Sequence, residues 1–175
     1  MKILVTYKSK TDFTKRYAEI IAKEVDGYLA DFKEVTAEMM SEYEVVVYGG
    51  GLYAGMVNGL KKAKEMFEKS SAKKFMVFAT GGTPNVATEE IDVVWKNNLT
   101  VEELVSISHF YMQSGICYEK LSFANRTLMK MMSNVLSKKK NKDSVEEGFS
   151  QAIKNSYDIS SKEYAAPLIK ALLEG

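Results

Sequence analysis

The sequence predicts a three-layer α/β sandwich: a five-stranded parallel sheet in the order 2-1-3-4-5, helices on both faces, and an added helical segment after the fifth strand. Three observations predict it. Short apolar runs of strand length alternate with segments of helical period, the pattern that builds a parallel sheet covered on both sides. The run Val45-Val46-Val47 is continuous, as in a strand buried on both faces. The exits of the first, third and fourth strands (residues 9–14, 49–55 and 80–85) are rich in Gly, Ser, Thr and Asn, whereas the entries Glu42-Tyr43-Glu44 and Ser71-Ala72-Lys73-Lys74 are plainer. Open α/β sheets bind ligands beyond the carboxyl ends of their strands, where the strand order reverses. In the order 2-1-3-4-5 that point lies between strands one and three.

The elements follow in turn. Residues 2–7 read as a buried strand. A helix over 11–25 follows, with Tyr17, Ile20, Ile21 and Val25 spaced by three and four, and Asp26-Gly27 stops it. A short second strand covers 28–32. The third covers 43–48, and Gly49-Gly50-Gly51 is expected to end it. A helix over 57–69 sets Leu60, Ala63, Lys64 and Phe67 on one face. The fourth strand covers 75–79 and Thr80-Gly81-Gly82-Thr83-Pro84 closes it. A helix over 86–97 and a fifth strand over 105–112 complete the sheet. Far downstream, Ser160 or Ser161 caps a last helix with Leu168, Ile169, Leu172 and Leu173 as its apolar face. Pro167 predicts a kink or a late start there.

A chain of 175 residues, 46% of them hydrophobic, suits one domain over 1–175 with an ordinary core. A formal net charge of +1 excludes a polyanion or an indiscriminate nucleic-acid binder. Cys117 is the only cysteine, so no disulfide forms within the chain, and His109 is the only histidine, which leaves a zinc site or a serine–histidine triad little to draw on. Inside their elements, His109 and Trp95 read as packed residues and Cys117 as a small buried hydrophobe. The N-terminus enters a strand at once, and no apolar run approaches the roughly 18 residues of a membrane span. These features predict a soluble, cytoplasmic protein.

The first exit, Tyr7-Lys8-Ser9-Lys10-Thr11-Asp12-Phe13-Thr14-Lys15-Arg16, sets hydroxyls and lysines at the start of a helix. A helix N-terminus presents unpaired N–H groups and the positive end of its dipole. Ser9, Thr11 and Thr14 add donors, so the junction reads as an anion site, for which phosphate is the usual occupant. It is no Walker loop, lacking Gly-Lys-Ser/Thr, and no dinucleotide fingerprint, since the turn has no glycine. Alone, the three hydroxyl residues read as ordinary helix caps. The Gly-rich loops at the matching strand ends favour one phosphate held on hydroxyls and amides.

This stretch resembles the FMN phosphate loop of the flavodoxin family, whose pattern Tyr7, Ser9, Thr14, Ala18 and Ile21 match. Asp12 stands where that family prefers a small residue, usually Gly, and Thr6 where an apolar residue is usual. The Asp12 carboxylate either points away and caps the helix or marks an altered site, with Lys8 and Lys10 offsetting its charge. The resemblance covers most of the chain and implies a flavodoxin-like fold with FMN as cofactor. It implies a phosphate held by Ser9, Lys10, Thr11, Asp12, Phe13 and Thr14. It implies a flavin ring between Gly51, Leu52, Tyr53, Ala54 and Gly55 on one side and Thr80, Gly81, Gly82, Thr83 and Asn85 on the other. Tyr53 would lie against the isoalloxazine, and amides near Gly82 and Thr83 would meet its polar edge.

After the fifth strand the chain carries more than a minimal member of that family, an added segment at about 113–158. From Lys120 to Lys142 there are seven Lys/Arg and no acid, and Leu121, Leu128, Met132 and Val135 fall close to one helical face that Ala124 and Met131 widen. Such a basic amphipathic helix packs on the sheet, docks an apolar partner, or rests on an anionic membrane surface. The run from Gly115 to Ser122, and the Gly-Gly-Gly-Leu-Tyr-Ala-Gly loop, resemble the menaquinone-dependent protoporphyrinogen oxidase branch of the flavodoxin-like proteins, in which the added segment implies membrane and substrate contact. No aromatic interleaving or groove-reading motif accompanies the lysines, so no nucleic acid is expected.

The expected function is FMN-dependent electron transfer, or oxidation or reduction of an apolar substrate or quinone, with a redox partner. The flavin carries the electrons and the protein holds it. The alternative is a flavodoxin-like scaffold that has lost FMN and acts as an interaction module, for which Asp12 is the support. A phospho-receiver domain of the same topology needs acids at the end of the first strand, and that strand ends Val5-Thr6-Tyr7-Lys8.

Overall fold

Val45-Val46-Val47 sits at the centre of the sheet, as its unbroken apolar character requires. The structure, a computed structural model, describes residues 1–120, 123–138 and 156–174. In chain order the elements are β1 (Ile3–Lys8), α1 (Phe13–Glu24), β2 (Tyr28–Asp31), α2 (Ala37–Met40), β3 (Val45–Tyr53), β4 (Met56–Val57), α3 (Leu60–Glu68), β5 (Lys74–Gly81), α4 (Thr88–Asn98), α5 (Val101–Ser106), β6 (Ser108–Gln113), β7 (Gly115–Ile116), α6 (Phe123–Lys138), β8 (Tyr157–Asp158) and α7 (Ala166–Leu173). The five main strands are parallel in the order β2-β1-β3-β5-β6, the predicted arrangement.

Alternate residues of the central strands face opposite layers. Ile3, Val5, Val45, Val47, Met76 and Phe78 pack against Tyr17, Ala18 and Ile21 of α1 and Leu168 and Leu172 of α7. Leu4, Val46, Tyr48, Phe75 and Val77 pack against Leu60 and Ala63 of α3 and Trp95 of α4. Burying a side chain such as Ile21 or Leu168 stabilises the fold by about 1.5–3 kcal/mol. Helix α1 stops at Asp26-Gly27 as predicted. Asp26 takes a left-handed backbone (φ 50°) and the Gly27 N–H donates to Ala22 O at 2.8 Å, the Schellman arrangement.

Several boundaries differ from the sequence reading. Gly49, Gly50 and Gly51 lie inside β3 rather than ending it. Their smallness serves packing: a Cβ on Gly49 would sit 2.1 Å from the Phe78 ring, and one on Gly50 2.6 Å from Val57. The helix predicted from residue 57 begins at Leu60, because Met56–Val57 turns back to pair with β3 and Gly59 caps the helix at φ 82°. The strand predicted from residue 105 begins at Ser108. The Thr100 side chain and Glu103 form a capping box that starts α5, and Val105 in that helix is 88% exposed. Ser161 caps the short 3-10 turn before α7, and Pro167 stands in the first turn of α7, so the late start holds. Leu173 is exposed instead of lining the apolar face.

Trp95 is buried, and the His109 ring lies tilted against it, 4.9 Å between centroids, with Nδ1 2.8 Å from Ile107 O. Cys117 is half-buried rather than enclosed, its thiol donating to Glu119 Oε2 at 3.4 Å. In α6, Phe123, Met131 and Val135 are exposed, at 88%, 61% and 70%. Leu121, Ser122 and the lysines at 139, 140 and 142 lie outside the described residues, as do the side chains of Ala124, Leu128 and Met132. Among the described residues, no helix is long and apolar enough to cross a membrane.

Candidate functional site

The carboxyl ends of β1, β3 and β5 meet at the switch point of the sheet. Thr14, in the first turn of α1, is buried, and its Oγ1 lies 2.8 Å from Oγ1 of the buried Thr80 at the end of β5. Gly51 of β3 completes the corner: a Cβ there would sit 3.4 Å from Thr14 Oγ1 and 3.8 Å from Thr80 Oγ1. Each hydroxyl has one hydrogen to give. One serves the Thr14–Thr80 bond, and the other is left for a further acceptor. On the same loop, Ser9 Oγ is buried with no hydrogen-bond partner among the described residues. A buried hydroxyl without a partner costs about 1–3 kcal/mol, so a group accepting or donating there would relieve it.

Asp12 is the N-cap of α1. Its backbone is left-handed (φ 67°), its carbonyl accepts from Arg16 N at 3.0 Å, and its side chain makes no cap hydrogen bond. The carboxylate instead forms an ion pair with Lys120, beyond β7. The hydrogen bond from Lys120 holds the Asp12 carboxyl below the usual carboxylate range, against the opposing effect of desolvation. The carboxylate therefore points away, as one of the two sequence alternatives had it, but it does not cap the helix. Phe13 is buried, Thr11 is half-buried and Lys10 is exposed, reaching over the Tyr53 ring with Nζ 4.8 Å from the centroid.

The second loop is a hairpin. Leu52 pairs with Val57 and Tyr53 with Met56, leaving Ala54 and Gly55 as a two-residue turn with φ 49° and 78°. Positive φ at both positions is the type I′ arrangement. Asn98 of α4 clamps it: its Nδ2 donates to Gly55 O at 2.8 Å and its Oδ1 accepts from Val57 N at 2.8 Å. Leu52 packs onto the core, whereas Tyr53 is half-buried and burial pushes its phenol pKa up.

The third loop is clamped from β6. Tyr111 donates its hydroxyl to Thr83 O at 2.9 Å, and Gln113 N donates to Asn85 Oδ1 at 2.8 Å while Gln113 Oε1 accepts from Asn85 N. The Asn85 amide oxygen is thus used within the loop. Gly81 is close-packed between Tyr111 and Leu52, and Gly82 and Thr83 are half-buried. The chemistry on offer is hydroxyls and amides at a helix N-terminus, an aromatic ring beside them, and no cluster of acids, histidines or cysteines able to hold a metal among the described residues.

The profile of the flavodoxin domain family matches residues 4–144. The chain belongs to the flavodoxin family. An uncharacterized protein of Methanocaldococcus jannaschii is 29% identical to this chain over 86 residues, 48% of this chain and 57% of that protein. Among solved structures, a flavodoxin from the domain Archaea is 20% identical over 63% of this chain and 85% of its own, at TM-score 0.41. A putative flavoprotein from Bacteroides eggerthii is 19% identical over 74% and 96%, at 0.44. A flavodoxin, WrbA-like protein from Agrobacterium tumefaciens is 15% identical over 86% and 98%, at 0.42.

Sequence reasoning missed the residues that shape the loops from a distance: Asn98, Tyr111, Gln113 and Lys120. Each acts on a loop at least 28 positions away. No local period or spacing marks such a clamp. The capping box at Thr100 and Glu103 was readable and would have corrected the start of β6.

Proposed function

We propose that this flavodoxin-family protein binds one FMN at the corner formed by Ser9, Thr14, Gly51 and Thr80 and works as a redox protein. The observation that carries the proposal is the convergence of three strand ends on a buried pair of threonine hydroxyls, with the Ser9 hydroxyl, unpartnered among the described residues, on the same loop as Thr14. Those groups and the first N–H groups of α1 suit a phosphate. Tyr53, with the turn at Ala54 and Gly55, and the loop through Gly82 and Thr83 flank the place for the ring. When bound, the flavin supplies the electron chemistry. The chain's own part is to fix the phosphate, position Tyr53, and hold the flanking loops through Asn98, Tyr111 and Gln113. Lys10 lies over Tyr53, so a ring stacked on that face requires the lysine to swing aside.

The ion pair with Lys120 answers the charge conflict at Asp12 on which the scaffold alternative rests. A finer form of the proposal, an apolar substrate or quinone met at a membrane surface, rests on the exposed apolar residues of α6 beside exposed Lys130 and Lys138. The protoporphyrinogen oxidase-like activity is one version of it.

Paired titrations with FMN and riboflavin test the site. The double substitution Ser9→Ala, Thr14→Ala should weaken FMN at least about tenfold, as expected when two hydrogen bonds to a charged group are lost, and leave riboflavin nearly unchanged. Equal affinity of variant and parent for FMN would place the phosphate elsewhere.

A further inference from the structure

We propose that Lys120 is a positioning residue for the phosphate end of the cofactor: it neutralises Asp12 and so makes the α1 N-terminus fit for a dianion. The inference rests on the FMN reading above and adds a role for a segment outside the three loops.

The starting point is an electrostatic conflict. Asp12 stands at the N-cap of α1, between Thr11 and the buried Phe13, at the mouth of the helix end where a phosphate would bind. Its left-handed backbone is one that Asp and Asn tolerate better than most side chains. Even turned away from the helix end, an unmatched carboxylate on the N-cap residue works against an incoming phosphate, because the helix dipole acts on both charges together. Lys15 and Arg16 follow on the helix and favour the Asp12 carboxylate through charge alone, but each makes its ion pair elsewhere, Arg16 with Asp158 at 2.7 Å and Lys15 with Glu19 at 3.8 Å. Lys8 and Lys10, the cations that the sequence suggests as compensation, make no contact with Asp12: Lys10 lies on Tyr53 and Lys8 lies beside Gly59 and Tyr48. The ammonium that meets the Asp12 carboxylate comes from Lys120.

Lys120 is held in place for this. It ends a 3-10 turn, Tyr118–Lys120, that follows β7. The neighbouring Glu119 ties that turn on two sides: its carboxylate accepts from Ser156 Oγ at 2.6 Å, and its carbonyl accepts from Arg126 Nη2 of α6 at 2.8 Å. The β7–β8 pair anchors the turn to α1 through Arg16 and Asp158, and Ser161 N donates to the Tyr17 hydroxyl at 3.2 Å. Residues 115–120 thus bring a cation onto the one carboxylate of the phosphate loop. Both partners are about half exposed, so the pair adds little to folding stability. Its effect falls on the anion that binds beside it.

The test compares FMN and riboflavin affinities, by flavin fluorescence at low and at high salt, for the parent, Lys120→Met, Asp12→Asn and the double variant. Lys120→Met should weaken FMN about fivefold at low salt, the upper range for a half-exposed charge pair, with the difference shrinking as salt rises. Riboflavin, which lacks the phosphate, should be unaffected. Asp12→Asn should restore FMN affinity in the Lys120→Met background, because no carboxylate is left to neutralise. An unchanged FMN affinity in Lys120→Met overturns the proposal. So does an equal loss of both flavins, which would mean a merely structural role, and so does failure of Asp12→Asn to rescue. A parent protein that takes up neither flavin overturns the FMN reading itself, and with it this one, before any variant is compared. Matching melting temperatures across the four proteins separate these results from a folding defect.

Discussion

Thr6 lies in the middle of β1, wholly buried, and its Oγ1 has no partner among the described residues. The sequence marks the position as unusual, since an apolar residue is expected there, and the structure supplies the physical consequence. A buried hydroxyl left unpaired costs about 1–3 kcal/mol, whereas valine has the same shape and needs nothing. Thr6→Val should therefore raise stability by about 1 kcal/mol, measured as a shift of the urea midpoint at constant slope; a lower midpoint would mean that the hydroxyl is satisfied. Asp12 was legible to the same degree. Its residue type conflicts with an anion site on sequence grounds, but its left-handed backbone and its pairing with Lys120 are set by a turn and a contact over 100 positions away. Ala54 was not legible at all: nothing in Leu-Tyr-Ala-Gly says that the alanine takes φ 49°, a conformation forced by closing β3 onto β4 in two residues.

Among the elements, those with long periodic or unbroken apolar patterns were readable, and their strand order followed from general rules for open sheets. Errors fell at the boundaries. Gly49 to Gly51 looked like a terminator, yet glycine there answers the Phe78 ring and Val57 on neighbouring strands, which no local window contains. Val105 and Ile107 are β-branched and read as the start of the fifth strand, and a capping box at Thr100 and Glu103 carries α5 through Ser106 instead. Helix α6 is the element whose surface bears most on function. It shows Phe123, Met131 and Val135 to solvent with Lys130 and Lys138. If that face rests on anionic lipid, replacing Lys138, Lys139, Lys140 and Lys142 by Gln should reduce sedimentation with phosphatidylserine vesicles at low salt by at least about tenfold, given roughly 1 kcal/mol per surface lysine. A parent protein that ignores such vesicles removes the membrane reading, and an apolar protein partner then remains for the exposed residues.

At the scale of the whole molecule, a parallel sheet with helices on both faces brings three distant loops to one corner. Their hydroxyls, amides and aromatic ring meet because β1, β3 and β5 are neighbours in register, with Lys8 opposite Gly50 and Gly51 opposite Thr80. That convergence was foreseeable from composition at the strand ends. The clamps that fix each loop, Asn98, Tyr111 and Gln113, were not, since they depend on which helix or strand packs beside which turn. The central claim is that this corner holds FMN. The most direct test is the visible absorption spectrum of the purified protein, recorded as isolated and again after incubation with FMN and removal of the excess. The account predicts the two visible-region bands of a bound oxidised flavin, retained at close to one flavin per chain after gel filtration. A colourless protein from which added FMN separates completely would contradict it.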